Sequence, residues 1–236
     1  MRTQQLAQAL YQAALISYPR TGSQKLPPTI NYAKIIRRLG EISGQYGDFA
    51  KELLTEGELR PNEGKKTDPA HPAIYPTGER PENLTGPQKK VYDLIARRFL
   101  SAFGKPALME SVRVELDVNG QRFRSHGRRV IEQGWLKYYG PYGKTEQVIL
   151  PKLGEGQELD VKEVKFERRE TQPPPRYNPS SIVKEMEARN LGTKSTRASI
   201  LQNLYERGYI LGNPITVTDL GIQVVDSLLA HCPEIV

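Results

Sequence analysis

Apolar residues recur at helical spacing over 3–17, where Leu6, Ala9, Leu10 and Ala13 share a face and Ala14, Leu15 and Ile16 close the run. Pro19 cannot continue a helix, and it pushes Tyr18 out of helical geometry. After a proline turn over 24–28, Ile35, Ile36 and Leu39 predict a helix at 31–39 with Gly40 as its stop. Phe49 to Leu54 predicts a short helix, and the polar, glycine- and proline-rich stretch 55–70 an exposed loop. The clearest amphipathic helix runs from Thr85 to Phe103, with Pro87 in its first turn and Val91, Leu94, Ile95, Phe99 and Leu100 as its stripe.

The period then changes from helical to alternating. Val112, Val114, Leu116 and Val118 predict a half-buried strand, Asn119-Gly120 a hairpin turn, and Gln121 to Ser125 the return strand. Val130-Ile131 is a start for another strand, and Glu158 to Phe166 a further one. Trp135, Tyr138, Tyr139 and Tyr142 fall among glycines, where strand packing and base stacking beside Arg128, Lys137 and Lys144 are both open. A proline linker at 171–175 ends this β-rich block. Helical spacing returns behind Asn178-Pro179, with Ile182, Val183 and Met186 inward. Ser195 is placed as the cap of the next helix, which carries Ala198, Leu201, Leu204 and Tyr205 and stops at Gly208. A small hairpin around Gly212-Asn213-Pro214 and a last helix from Thr218 to Ala230 complete a winged-helix pattern.

Composition narrows the classes. A formal net charge of +7 points toward a polyanionic partner. The single cysteine, Cys232, excludes an internal disulfide and a cysteine-based zinc site, and fits a reducing compartment. No apolar run of about 18 residues occurs. Walker A, Gly-x-Gly-x-x-Gly and His-Glu-x-x-His motifs are absent, as is a clustered Asp-x-Asp metal site. Asp68 and Glu79, either side of His71 and separated from it by prolines, read as solvated.

Two stretches carry candidate chemistry. In Ser17-Tyr18-Pro19-Arg20-Thr21-Gly22-Ser23 a phenol stands beside a planar donor fork and two hydroxyls, groups that suit a phosphate and a tyrosine nucleophile. In His71-Pro72-Ala73-Ile74-Tyr75-Pro76 the prolines hold His71 in an extended segment, where it could bond a phosphate or donate a proton. A core tyrosine and a loop histidine are the plainer readings of the same residues.

These stretches, in this order and followed by Arg176-Tyr177-Asn178, Glu185 to Gly192 and Lys194-Ser195-Thr196-Arg197-Ala198, resemble the type IA DNA topoisomerases. The continuation Gln24-Lys25-Leu26-Pro27-Pro28 is most similar to archaeal members. The resemblance implies that Tyr18 is the nucleophile forming a 5′-phosphotyrosyl link, that Arg20 positions the scissile phosphate, and that His71 aids cleavage. It implies DNA-phosphate contacts from Ser195 and Thr196, joined by Arg176, Lys194 and Arg197. Tyr75 stands where the family has an arginine, which removes one implied phosphate contact.

The same resemblance implies a multi-domain α and β fold. Residues 1–104 would be the catalytic-tyrosine domain, 105–176 a β-rich arch or hinge, and 177–236 a winged-helix-like module that grips single-stranded DNA. It further implies magnesium bound by a Toprim domain that nothing here matches, and a cytoplasmic, nucleoid-associated location. The chain thus reads as an N-terminally truncated piece, inactive in relaxation until joined by its Toprim portion. Two other readings stand beside it: a non-catalytic winged-helix nucleic-acid-binding protein, and a protein-interaction scaffold whose basic charge is incidental.

Overall fold

The structure is a computed structural model that describes residues 2–68 and 70–235. It divides into two units, Arg2–Asp160 and a second beginning at Val161.

The first unit is built on four helices. α1 (Arg2–Gln12) ends well before the position its apolar run predicts. Ala14 adopts φ 59°, and the N–H groups of Ala14 and Leu15 donate back to Tyr11 and Leu10 carbonyls at 2.9 and 3.0 Å. This closure satisfies the helix's last carbonyls and releases the chain before Pro19 is reached. Leu15 and Ile16 are buried all the same. They enter the core from an extended segment in which Ile16 bridges Pro76. Hydrogen bonds to the 73–77 segment replace the helical ones there, so Tyr18 lies in an irregular segment just after the Ile16 bridge rather than at a helix end.

α2 (Tyr32–Ile42) starts where Asn31 accepts from Lys34 N–H and buries Ile35, Ile36 and Leu39. Gly40 is not its stop but a contact point: a Cβ there would lie 2.8 Å from the Ala50 Cβ. The missing side chain lets α2 and α3 approach closely. α3 (Gly44–Thr55) is longer than predicted because Ser43 caps it. α4 (Gly86–Ser101) opens on a Thr85–Gln88 capping box. Its buried face is rotated from the predicted stripe: Tyr92, Ala96, Phe99 and Leu100 are buried with Arg97, while Val91, Leu94 and Ile95 are half-buried.

β1 (Leu108–Val118) and β2 (Gln121–Glu132) form an antiparallel hairpin with Val118 opposite Gln121. Asn119 and Gly120 both take positive φ, as the Asn-Gly signal requires. β2 absorbs Val130-Ile131, so no new strand starts there. The aromatic stretch is helical, contrary to strand packing: α5 (Leu136–Tyr139) returns to α4, and Tyr138 is fully buried, edge-on to Phe49. Residues 158–166, predicted as a strand, have no ladder partner among the described residues.

The second unit holds α6 (Pro179–Ala188), α7 (Arg197–Glu206), the two-residue strands β3 (Ile210–Leu211) and β4 (Thr216–Val217), and α8 (Asp219–His231). Asn178 caps α6 as predicted, by accepting from Ser180 and Ser181 N–H. Thr196, not Ser195, precedes the first residue of α7.

Candidate active site

The chain crosses itself to bring the two candidate stretches together. Ser17 N–H donates to the Tyr75 carbonyl at 2.9 Å, and Tyr75 N–H donates to Ser17 Oγ at 2.9 Å. Thr77 N–H reaches the Leu15 carbonyl at 3.1 Å, and Ala73 N–H the Lys25 carbonyl at 2.8 Å. Prolines 72 and 76 suit this extended path, since they have no N–H to leave unpaired. Tyr75 packs against the core rather than standing free, in keeping with its place outside the polar site.

On this frame the rings of Tyr18 and His71 lie 4.7 Å apart at 35°. Tyr11, projecting from the last turn of α1, meets Tyr18 edge-on at 5.4 Å and 75°. Tyr18 and His71 are both half-buried, so each keeps a solvent-facing side. Thr21 is spent internally: its hydroxyl donates to the His71 carbonyl at 3.0 Å and accepts from Ser23 N–H at 3.0 Å. Ser23 Oγ accepts from Lys25 N–H at 3.1 Å. Arg20 is exposed and makes no ion pair among the described residues, which leaves its guanidinium for an incoming anion.

Asp68 belongs to this site, contrary to its solvated reading. Its side chain is only 16% exposed, and Oδ1 lies 4.0 Å from His71 Nδ1. Oδ1 accepts from Ala70 N–H at 3.1 Å, and Oδ2 from Gly22 N–H at 3.5 Å. The Asp-Pro pair is a turn-starting signal that could have pointed to the first of these contacts; nothing local pointed to Gly22. Glu79 does face solvent, paired with Arg38. Tyr11 left no trace in the sequence, because its approach to Tyr18 follows from the early end of α1.

The other predicted residues lie in the second unit. Arg176 is exposed ahead of α6, and Lys194, Ser195 and Thr196 are exposed in the turn before α7. Thr193, not singled out from the sequence, sets its hydroxyl 2.9 Å from Ser195 Oγ and 3.0 Å from Thr196 Oγ1. Arg197 donates to the Leu191 and Gly192 carbonyls at 2.9 and 3.1 Å and so closes that turn. Three hydroxyls cluster at this helix N-terminus, where the Thr196 and Arg197 N–H groups already donate to the Thr193 carbonyl at 3.1 and 3.0 Å, so it is the exposed hydroxyls and Lys194 that form a surface suited to phosphate.

Among the described residues no three His, Cys, Asp or Glu side chains converge to hold a metal ion. No helix among the described residues is long and apolar enough to cross a membrane.

A family model described as DNA topoisomerase matches residues 1–236. The chain belongs to the type IA DNA topoisomerase family. This topoisomerase segment is 49% identical over 238 residues to DNA topoisomerase 1 of Pyrococcus horikoshii, covering 100% of the chain and 34% of that protein. It is 46% identical over 235 residues to DNA topoisomerase 1 of Methanothermobacter thermautotrophicus, covering 100% and 32%. Similarity extends to DNA topoisomerase 3 of Caenorhabditis elegans, at 33% identity over 95% of the chain and 30% of that protein. The solved full-length topoisomerase I from Thermotoga maritima matches with a TM-score of 0.61 and 30% identity, over 96% of the chain and 38% of that structure. The segment thus has the mixed α and β fold of type IA topoisomerases and spans about a third of the length of its curated relatives.

Proposed function

We propose that this segment supplies the nucleophile of a type IA topoisomerase, which cuts one DNA strand, lets another pass and reseals the first. The observation that carries this reading is the packing of the Tyr18 and His71 rings, 4.7 Å apart and tilted by 35°, from stretches about fifty residues apart, with the exposed Arg20 two residues after Tyr18 and in no ion pair among the described residues. Tyr18 Oη attacks a backbone phosphorus. The Oη–P bond forms as the P–O3′ bond breaks; Oη releases its proton, and the departing O3′ gains one. A free phenol has a pKa near 10, so only about a thousandth is ionised at neutral pH. Arg20 neutralises the phosphate and the charge gathering on it, which lowers the cost of the attack. His71 stands where it can hand a proton to O3′. The phosphotyrosyl ester keeps the energy of the broken phosphodiester, so resealing is the reverse reaction and needs no ATP.

In this reading residues 1–104 present the nucleophile, 105–176 form the arch, and 177–236 hold single-stranded DNA through Lys194, Ser195, Thr196 and Arg197, joined by Arg176 at the end of the arch. Magnesium belongs to the Toprim portion of the same protein, and the protein works on the DNA of the cytoplasmic nucleoid. The test is covalent trapping. The segment, a Toprim-containing piece, magnesium and a labelled single-stranded oligonucleotide are mixed and denatured. A label–protein adduct is expected, and Tyr18→Phe should abolish it. An adduct that survives Tyr18→Phe overturns the assignment, and relaxation of supercoiled DNA by the segment alone overturns the need for a partner piece.

A further inference from the structure

We propose that Asp68 is a positioning residue that acts through His71, an inference that rests on the reading of Tyr18 as nucleophile. Four observations carry it. The Asp68 carboxylate is largely sheltered from solvent, where its charge is less screened than on an open surface. It accepts from Ala70 N–H of its own turn at 3.1 Å and, at the long limit of 3.5 Å, from Gly22 N–H of the Tyr18 loop, and it stands close to the His71 ring without a direct hydrogen bond to it. The edge of His71 that it faces is Nδ1, at 4.0 Å. The face of the same ring is stacked on Tyr18.

A carboxylate facing Nδ1 favours a proton on that nitrogen and leaves Nε2 as the one that can meet substrate. With Nδ1 turned to Asp68, the proton handed to a departing O3′ is the one on Nε2. Within the first unit, the Gly22 contact couples the loop that carries Tyr18 and Arg20 to the turn that carries His71. Asp68 touches neither phosphate nor nucleophile in this scheme. It holds the histidine's tautomer and ring orientation, as an acidic group does for an imidazole base in a triad.

Two readouts test this. In the full-length protein carrying the segment, Asp68→Asn should slow adduct formation at saturating oligonucleotide on the order of tenfold, with DNA affinity changed by less than about twofold. In a His71→Ala background the same substitution should change the rate by less than about twofold, because the residue through which it acts is gone. Equal rate losses in both backgrounds, or affinity falling as far as rate, overturn the proposal. Should the carboxamide variant unfold, the same comparison on Asp68→Ser, which keeps a turn acceptor for Ala70 N–H, decides it.

The second readout needs no activity. Ring-nitrogen NMR of the segment should show His71 moving from the Nδ1–H toward the Nε2–H tautomer on Asp68→Asn, with His126 and His231 unmoved. An unchanged His71 overturns the contact itself. An adduct in Tyr18→Phe would instead overturn the nucleophile reading, with the NMR comparison still deciding whether Asp68 governs His71.

Discussion

Tyr92 lies on the buried face of α4, and its hydroxyl is the one buried side-chain polar atom without a hydrogen-bond partner among the described residues. Burial pushes its phenol up to about 12, since the ionised form is the one a dry site disfavours. Tyr92→Phe keeps the ring and removes the orphaned hydroxyl. Relief of an unpaired buried group is worth about 1 kcal/mol at pH 7, the low end of the usual range. A raised folded-state pKa contributes stability that is complete below the unfolded value near 10 and is lost as pH rises toward 12. At pH 11 the unfolded tyrosine is mostly ionised and the folded one mostly neutral, so the wild type loses about 1.4 kcal/mol that phenylalanine cannot lose. The variant's advantage should therefore grow to about 2.4 kcal/mol at pH 11. Urea unfolding followed by circular dichroism measures it. With a slope of about 2 kcal/mol/M, the midpoint should rise by about 0.5 M at pH 7 and about 1.2 M at pH 11. Tyr46 and Tyr142 are also shifted upward, chiefly by burial and then by hydrogen bonds to Asp93; both titrate in both proteins, and only Tyr46, which Tyr92 raises as the smallest of its causes, adds a minor part to the difference. A variant less stable at pH 7 would refute the unpaired hydroxyl. An advantage equal at both pH values would refute the raised phenol.

Arg97 is buried beneath the α5 return, with Nε on both Asp93 oxygens at 2.9 and 3.0 Å and Nη2 on Gln45 at 2.6 Å. Arg97→Met should cost about 3 kcal/mol in the same unfolding experiment, the low end for a broken buried pair because Asp93 is partly exposed; a loss under about 1 kcal/mol would refute its anchoring role. Arg20→Lys keeps the charge but loses the planar fork, so adduct formation should fall more than oligonucleotide affinity; equal losses would reduce Arg20 to a simple phosphate clamp.

The Tyr18 and His71 stretches were legible as candidates because proline patterning and donor types are local, and because their order along the chain matched a family. Asp68 was missed for a physical reason. A carboxylate set off from His71 by a proline in a polar loop reads as solvated unless another segment reaches it, and here the Tyr18 loop does so through Gly22 N–H. Gly40 was misread for a similar reason, since a helix stop and a close helix contact both call for glycine and only the neighbour, Ala50, distinguishes them.

By itself the sequence determined the family, the α-then-β-then-α order of elements, the Asn-Gly hairpin and the residue types available for chemistry. These depend on side-chain period, turn stereochemistry and motif order, all readable along one dimension. Only the tertiary structure decided where α1 ends, and so how Tyr18 is presented. Residues 13–16 are apolar enough for a helix or a buried strand, and local propensity separates the two by fractions of a kcal/mol per residue, roughly. The bonds from Ser17, Tyr75 and Thr77 settle the choice, because a strand there pairs groups on both segments while a longer helix would leave the His71 segment's N–H and carbonyl groups without partners.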